Sequence, residues 1–140
     1  MRLFNLLKNI ILAINNAKNQ IKNIKNKYYY TSKSGVTGTT STSFTVCSLN
    51  DIPEGTYLVL GFTAGSVGTT TIMNAAIGMG ENCTKIAGGD GRTTGQAGGG
   101  CHTWAIVEVS GGVGSLRLAT YKYYSGTIGY SGNLVAIRLI

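Results

Sequence analysis

Proline, histidine and acidic residues are scarce in this 140-residue sequence. It contains one proline, one histidine and five acidic residues, and only 12% of its residues are charged. No apolar run approaches the roughly 18 residues of a membrane-spanning helix. An apolar content of 43% is too high for a disordered chain, and the length is that of one ordinary domain, which excludes a large multidomain enzyme.

Glycine and acidic residues are also missing from one whole part of the chain. Residues 1–34 contain neither type, yet they carry seven of the twelve basic residues. Beyond residue 34, five basic residues balance five acidic ones, so the entire net charge of +7 lies in the first segment. All 21 glycines lie between Gly35 and Gly132. This partition predicts two structural units that join near residue 30.

Apolar residues in the N-terminal unit, residues 1–30, recur at spacings that alternate between four and three. The pattern lasts for nearly four heptads without glycine or proline, which predicts a left-handed coiled coil. Isoleucine at both a and d positions favours three or four strands over two, and we predict a parallel trimer. The trimerisation seam consists of Leu3, Leu7, Ile10, Ile14, Ala17, Ile21, Ile24 and Tyr28.

The first half of this unit is apolar beyond the seam as well. Ten of its first fourteen residues are apolar, so this half needs a second partner surface. We predict that it anchors the chain in another protein. The anchor residues outside the seam are Phe4, Leu6, Ile11 and Leu12.

Four other interpretations fit this segment less well. A single amphipathic helix packed on the following unit would need a wider apolar stripe than residues 15–27 offer. Lys8 and Asn9 interrupt the apolar stretch that a secretory signal requires. A membrane-surface helix normally has tryptophan at the boundary of its polar face, whereas this segment has no tryptophan and asparagine dominates its polar face. The lysines attract phosphate, but no aromatic residues alternate with them as stacking platforms. We therefore expect neither membrane nor nucleic acid as a partner.

The second unit is rich in glycine, threonine and serine, with short β-branched and aromatic runs between glycine turns. This composition is typical of an antiparallel sandwich. We predict a mainly β fold: a linker or first strand at 31–42, and a jelly-roll-like β-sandwich knob at 43–140. The predicted strands are 43–48, 55–62, 69–77, 83–87, 102–109, 115–124 and 134–140, with a short one near 128.

Several predicted strands are apolar on both sides. Leu58 and Leu60 alternate with Tyr57 and Val59, and residues 104–109 repeat the pattern. A sheet that is apolar on both faces must be covered twice, once by its partner sheet and once by a neighbouring subunit. This requirement agrees with the predicted trimer.

Few residues could carry out catalysis. Cys101 and His102 are adjacent, but neighbours on a strand point to opposite faces and could not share a proton. The cysteines show no C-x-x-C spacing of a zinc site, although three copies of His102 around a trimer axis form an alternative metal site. We predict no enzyme, no metal and no cofactor. An odd number of cysteines favours packed, reduced thiols, with a Cys83–Cys101 disulfide as the alternative.

Two regions are candidates for receptor contact. Segment 88–100 has seven glycines but neither Gly-Lys-Ser/Thr nor a following helix, so it is no phosphate loop. We predict a long rim loop that displays Arg92. The second region is a group of tyrosines, whose rings stack on sugars or alternatively pack an intersubunit interface. These residues are Tyr121, Tyr123, Tyr124 and Tyr130.

Four stretches of the second unit carry a resemblance to a known family. They are the turn and strand at 50–61, Trp-Ala-Ile-Val-Glu-Val at 104–109 with its Gly-Gly-Val-Gly turn, Leu-Arg-Leu-Ala-Thr-Tyr at 116–121, and the closing Leu-Val-Ala-Ile-Arg-Leu run. Together with the heptad seam, they make the chain similar to small trimeric fibre proteins of tailed bacteriophages. In that family a coiled-coil stem carries a jelly-roll knob that resembles tumour-necrosis-factor-like domains. The resemblance covers most of residues 28–140.

The resemblance implies a structural protein of the virion surface, assembled in the host cytoplasm. It implies a homotrimer bound through its N-terminus to a capsid or tail protein of the same virion, with the knob outward and a cell-surface glycan as a further partner. The short stem favours a head (capsid) fibre or decoration over a tail receptor-binding fibre. A non-viral jelly-roll lectin is the alternative from a different class.

Overall fold

The computed structural model describes residues 2–25, 27–38, 43–66, 71–95, 99–122 and 128–139. These residues form one helix followed by strands. The elements are α1 Arg2–Lys25, β1 Tyr28–Gly38, β2 Phe44–Ile52, β3 Gly55–Ser66, β4 Thr71–Met79, β5 Cys83–Gly89, β6 Gly91–Gly95, β7 Gly99–Val109, β8 Gly114–Lys122 and β9 Ile128–Arg138.

Helix α1 extends for 24 residues because no glycine or proline interrupts it. Its described apolar side chains are about half exposed, as Leu7 at 55% and Ile14 at 49% illustrate. Within the described chain α1 makes no extensive contact with the strands. A single chain therefore leaves the apolar surface of this helix in water, and its pairing with other copies stays a prediction.

The strands form two antiparallel sheets. One has the order β1-β9-β3-β7-β5 and the other the order β2-β8-β4-β6. Each strand is followed in sequence by a strand of the other sheet. The predicted mainly β, antiparallel sandwich is confirmed.

The core lies between the two sheets and follows the alternation of each strand. Tyr57 and Val59 on β3 and Leu118 on β8 are fully buried. The Tyr57 hydroxyl donates a hydrogen bond to the carbonyl oxygen of Pro53 at 2.8 Å, which satisfies its polar atom. Burial raises the pKa of the Tyr57 phenol.

The helix joins the sandwich at the edge of the five-stranded sheet. Two residues separate α1 from β1, and the backbone N–H of Arg138 donates to the carbonyl of Lys27 at 2.6 Å. Tyr28 stands opposite Ile137. The helical unit predicted for residues 1–30 is therefore too long, and a strand occupies much of the range 31–42.

The physical reason for this boundary is the aromatic run that follows the helix. Aromatic and β-branched residues favour strands. The Tyr29 ring packs edge-on against Tyr57, with ring centroids 6.0 Å apart, and thereby joins the core. This packing outweighs the heptad register that would continue the helix to Tyr28.

The long loop predicted at 88–100 is wrong for residues 88–95 and 99–100, which belong to strands β5, β6 and β7 apart from Asp90, whereas residues 96–98 lie outside the described residues. Strand β5 continues past Asp90 into β6, and the chain changes there from the five-stranded to the four-stranded sheet. A Cβ atom on Gly91 would collide with the carbonyl oxygen of His102. Glycine is needed at this position because the backbone passes close to that of β7 and leaves no room for a Cβ atom. Gly91 therefore does not indicate a flexible loop.

Candidate interaction surfaces

The outer face of the five-stranded sheet is apolar in the half next to α1. Side chains at alternate positions of β1, β9, β3 and β7 point away from the core and line up in two rows across the sheet. We name these eight residues the apolar sheet face. The rows are Tyr28, Ile137, Leu58 and Ile106, and Tyr30, Val135, Leu60 and Trp104.

Five members of the apolar sheet face are well exposed. Tyr30 is 58% exposed, Tyr28 50%, Trp104 47%, Leu60 40% and Ile137 37%. The other three members are half-buried. Contiguous exposed apolar surface of this kind is a candidate for contact with a partner. The sequence signal for it was the two-sided apolar pattern of β3 and β7.

A polar row borders the apolar sheet face on the side away from α1. It brings Asn133, Phe62 and His102 into register. The Tyr30 hydroxyl donates to Asn133 Oδ1 at 3.3 Å, and the imidazole of His102 lies against the Phe62 ring with centroids 4.7 Å apart. These four side chains line a shallow pocket. The apolar surface therefore ends at a defined polar margin.

The outer face of the four-stranded sheet is polar. Thr45, Ser48 and Arg117 are exposed there, beside the small residues Ala76 and Gly78. None of the exposed large apolar side chains of the described chain lies on β2, β4, β6 or β8. The two outer faces of the sandwich thus have different chemistry.

Two predicted receptor contacts share one row of the four-stranded sheet. Arg92 on β6 stands opposite Asn74 on β4, and Asn74 stands opposite Tyr121 on β8. Arg92 is exposed. The side chain of Tyr121 lies outside the described residues, as do Tyr123 and Tyr124 entirely.

Tyr130 lies in the core instead of at the surface. It is 2% exposed and packs edge-on against Phe44, with ring centroids 4.8 Å apart. Its hydroxyl makes no hydrogen bond within the described chain, and burial raises the pKa of its phenol. The prediction that Tyr130 contacts a receptor is wrong, because strand alternation turns this ring toward the other sheet.

The seam and anchor residues of α1 are exposed where their side chains are described. The exposed fractions of the leucines and isoleucines among them range from 48% at Ile10 to 55% at Leu7. The described members are Leu7, Ile10, Ile14 and Ala17 of the seam and Ile11 and Leu12 of the anchor. The side chains outside the described residues are those of Leu3, Phe4, Leu6, Ile21 and Ile24. The seam prediction is wrong at Tyr28, which belongs to β1.

The three cysteines, all of them in the described part of the chain, form no disulfide bond. Cys83 stands opposite Val109, and Cys101 lies eight residues away on the same strand as Val109. That separation is about 27 Å at 3.4 Å per residue, whereas a disulfide needs Cα atoms within about 7 Å. The Cys83–Cys101 alternative is therefore wrong. Burial raises the pKa of the Cys47 and Cys83 thiols, which favours the protonated form.

Cys101 and His102 lie on opposite faces of β7, as predicted. Cys101 is buried and His102 is exposed. Within the described ranges, histidine, cysteine and acidic residues form no group of three that could hold a metal ion. None of the helical residues that the structure describes forms a segment long and apolar enough to cross a membrane.

Comparison with known proteins found similar folds among solved structures. No protein-family model and no curated protein matches the chain. A chain in the structure of infectious bursal disease virus, Gx strain, is similar with a TM-score of 0.57 and 18% identity, over 80% of this chain and 32% of that one. The tripod from the baseplate of bacteriophage Tuc2009 matches with a TM-score of 0.47 and 15% identity, over 81% of this chain and 65% of that one. This chain spans less than two thirds of the length of either, and the likeness to the bursal disease virus chain shows the fold alone.

Proposed function

We propose that this chain is a structural, non-enzymatic fibre on the surface of a tailed-phage virion. Helix α1 is its stem and anchor, and the sandwich is its head. The observation that carries the proposal is the junction at Tyr28, where a helix with exposed apolar side chains enters the edge strand of a sandwich with one apolar outer face. Both surfaces need partners that a single chain does not supply.

The stem of the proposed fibre is a parallel three-stranded coiled coil. Leu7, Ile10 and Ile14 occupy successive seam positions and are 48–55% exposed in the single chain. Burying such a row against two neighbouring helices removes its apolar surface from water. The lysine- and asparagine-rich positions outside the seam then face solvent.

The head of the proposed fibre is a jelly roll. In a jelly roll the chain wraps around two sheets, so that successive strands belong to different sheets. The alternation of β1 to β9 between the sheets supports this assignment. The fold shared with a chain of infectious bursal disease virus is in keeping with a virion component.

The anchor of the proposed fibre is the N-terminal half of α1, which binds a capsid or tail protein of the same virion. Leu7, Ile11 and Leu12 line one apolar groove along this half, together with the side chain of Lys8. A helix of 24 residues is about 36 Å long at 1.5 Å per residue. So short a stem favours a head fibre or capsid decoration over a tail fibre.

The head's polar face is the surface that we propose to adhere to host or environmental glycans. Its strongest candidates are Arg92 and Tyr121, which flank Asn74 in one row. The same row favours the second candidate function, a non-viral jelly-roll lectin. The two functions differ in location, since a lectin binds glycans without being part of a virion.

The mass and shape of the purified full-length protein test whether it forms a trimeric fibre with a stem and a head. We expect light scattering to give three chains per particle and electron microscopy to reveal a short stem with a head. Ile14→Asp places a charge in the seam and should yield monomers, whereas Asn16→Asp, at an outer position of the same turn, should leave the trimer intact. A monomeric wild-type protein would contradict the proposal.

Location on the virion needs a separate test. Gold-labelled antibody against the head should decorate the phage particle, at the capsid for a head fibre and at the tail for a receptor-binding fibre. Absence of label from purified particles, with glycan binding retained by the free protein, favours the lectin.

A further inference from the structure

We infer that the apolar sheet face is covered by the head of a second copy of this chain, an inference that rests on the proposed trimer. Three features of the described residues support a second copy as the occupant. They are the neutral chemistry of the face, its continuity with the stem, and its size.

The chemistry of the apolar sheet face suits contact with an identical surface. Its two rows contain no charged residue, so two copies bring no like charges together. Glu108 lies exposed beyond the row of Ile106, and His102 lies beyond the row of Trp104. Ionisable groups thus stand at the margins, where an interface is normally polar.

The face also continues the surface that brings the stems together. Tyr28, the first residue of the apolar sheet face, begins β1 directly after the stem. Only two residues separate α1 from β1, and they span at most about 10 Å. The hydrogen bond between Arg138 and Lys27 holds this connection against β9. A trimeric stem therefore places three copies of Tyr28 close to the axis.

The size of the face fits an interface that the stem completes. Four strands at about 4.8 Å and two rows at about 7 Å give a footprint of roughly 270 Å². A stable interface buries about 800 Å² per partner, so the face supplies roughly a third of that area. It is too small to hold two heads alone. The stem keeps the heads at a high effective concentration, and under that condition a small face is sufficient.

Trp104 reports on this contact, because it is the chain's single tryptophan and lies at the β7 end of the face, paired with Leu60. We expect its emission in the full-length trimer to be shifted to shorter wavelength, with acrylamide quenching several-fold weaker than in Leu60→Glu, which places a charge beside it. Arg117→Glu, on the polar outer face of the other sheet, is the control and should leave quenching at the wild-type level. Quenching in the wild-type trimer as strong as in Leu60→Glu overturns the inference.

Cross-linking tests whether a second head covers the apolar sheet face. The result does not depend on whether the Leu60→Glu variant folds. Tyr30→Cys, in the row of the apolar sheet face farther from the stem, should form a disulfide-linked dimer on mild oxidation, whereas Thr45→Cys on the polar face should not. A protected Trp104 without this cross-link shows that something other than a second head covers the face, and so overturns the inference.

The particle mass, measured on the same samples, separates the two proposals. A trimer with an accessible Trp104 overturns the head contact and leaves the stem-driven fibre standing. A monomer overturns the fibre itself.

Discussion

The Glu54 carboxylate accepts a hydrogen bond from the backbone N–H of Gly112, with 2.8 Å between Glu54 Oε1 and the nitrogen. This bond joins the β2–β3 turn to the β7–β8 turn at the end of the sandwich nearest α1. The carbonyl oxygen of Glu54 also accepts a hydrogen bond from the Arg138 guanidinium at 2.7 Å. Glu54 thus connects the β2–β3 turn both to the β7–β8 turn and to strand β9.

Glu54→Ala removes the side-chain half of this link. A single exposed hydrogen bond to a charged group contributes about 1 kcal/mol, so we expect the free energy of unfolding to fall by about that amount. Glu54→Gln keeps an acceptor oxygen and should lose about half as much. Urea unfolding of both variants measures the difference, and equal losses would show that the acceptor is unimportant.

Gly91→Ala tests the crossing between β5 and β6. The added Cβ would collide with the backbone of β7 at His102, and backbone atoms move less readily than the end of a side chain. We expect a loss of about 2 kcal/mol or more, as for other substitutions that force strain. Gly129→Ala is the matched control, since nothing lies within 4 Å of its Cβ position. Thermal unfolding that is unchanged in Gly91→Ala would contradict the close crossing.

Two buried tyrosines should respond in opposite ways to loss of their hydroxyl. Tyr57 donates to Pro53, so Tyr57→Phe leaves an unpaired carbonyl oxygen and should cost about 1 kcal/mol. The Tyr130 hydroxyl is buried without a partner in the described chain, so Tyr130→Phe should be neutral or stabilising. Denaturant unfolding at pH 7 measures both. A large loss in Tyr130→Phe would mean that its hydroxyl is bonded.

The same tyrosines predict a weakening in alkali. Burial raises the pKa of Tyr57 and Tyr130 in the folded state above the ordinary value of about 10. The folded protein then binds more protons than the unfolded chain, so stability is complete below pH 10 and falls as pH rises through the folded pKa. Tyr130→Phe removes one titrating group, and its stability should decline less steeply above pH 10 than that of the wild type. If the free energy of unfolding fell equally steeply with pH in the variant and the wild type, the raised pKa of Tyr130 would be contradicted.

Leu118→Ala probes the core between the sheets. Leu118 is fully buried on β8, and leucine-to-alanine changes at such sites cost about 2–5 kcal/mol through lost burial and a residual cavity. Leu139→Ala, at a 53% exposed position, should cost well under 1 kcal/mol. Urea midpoints of the two variants provide the comparison. Equal midpoints would place Leu118 outside the core.

Much of the secondary structure could be predicted from local pattern. Short β-branched and aromatic runs between glycine turns predicted β3 at residues 55–62 and β7 at residues 102–109. Strand ends were less well predicted: β9 begins at Ile128 and takes in the short strand expected there. Hydrogen bonds to neighbouring strands extend a strand beyond its apolar residues, and those neighbours are distant in sequence.

The candidate site was only partly predictable. The two-sided apolar pattern correctly indicated that one sheet has an apolar outer face. It could not distinguish Tyr130, which fills the core, from Tyr28 and Tyr30, which are exposed. All three are tyrosines in strands, and the direction of each ring depends on the register of its strand against the partners.

Composition and periodicity act along the chain, so they were sufficient to predict the partition into a basic, glycine-free helix and a neutral, glycine-turned sandwich. Tertiary contacts were needed to establish that Gly91 serves a strand that changes sheets, that β1 begins at Tyr28, and that the apolar surface belongs to the five-stranded sheet. These outcomes follow from pairing between residues up to 109 positions apart, such as Tyr28 with Ile137. Packing against such distant partners, rather than local propensity, selects which face of each strand is covered.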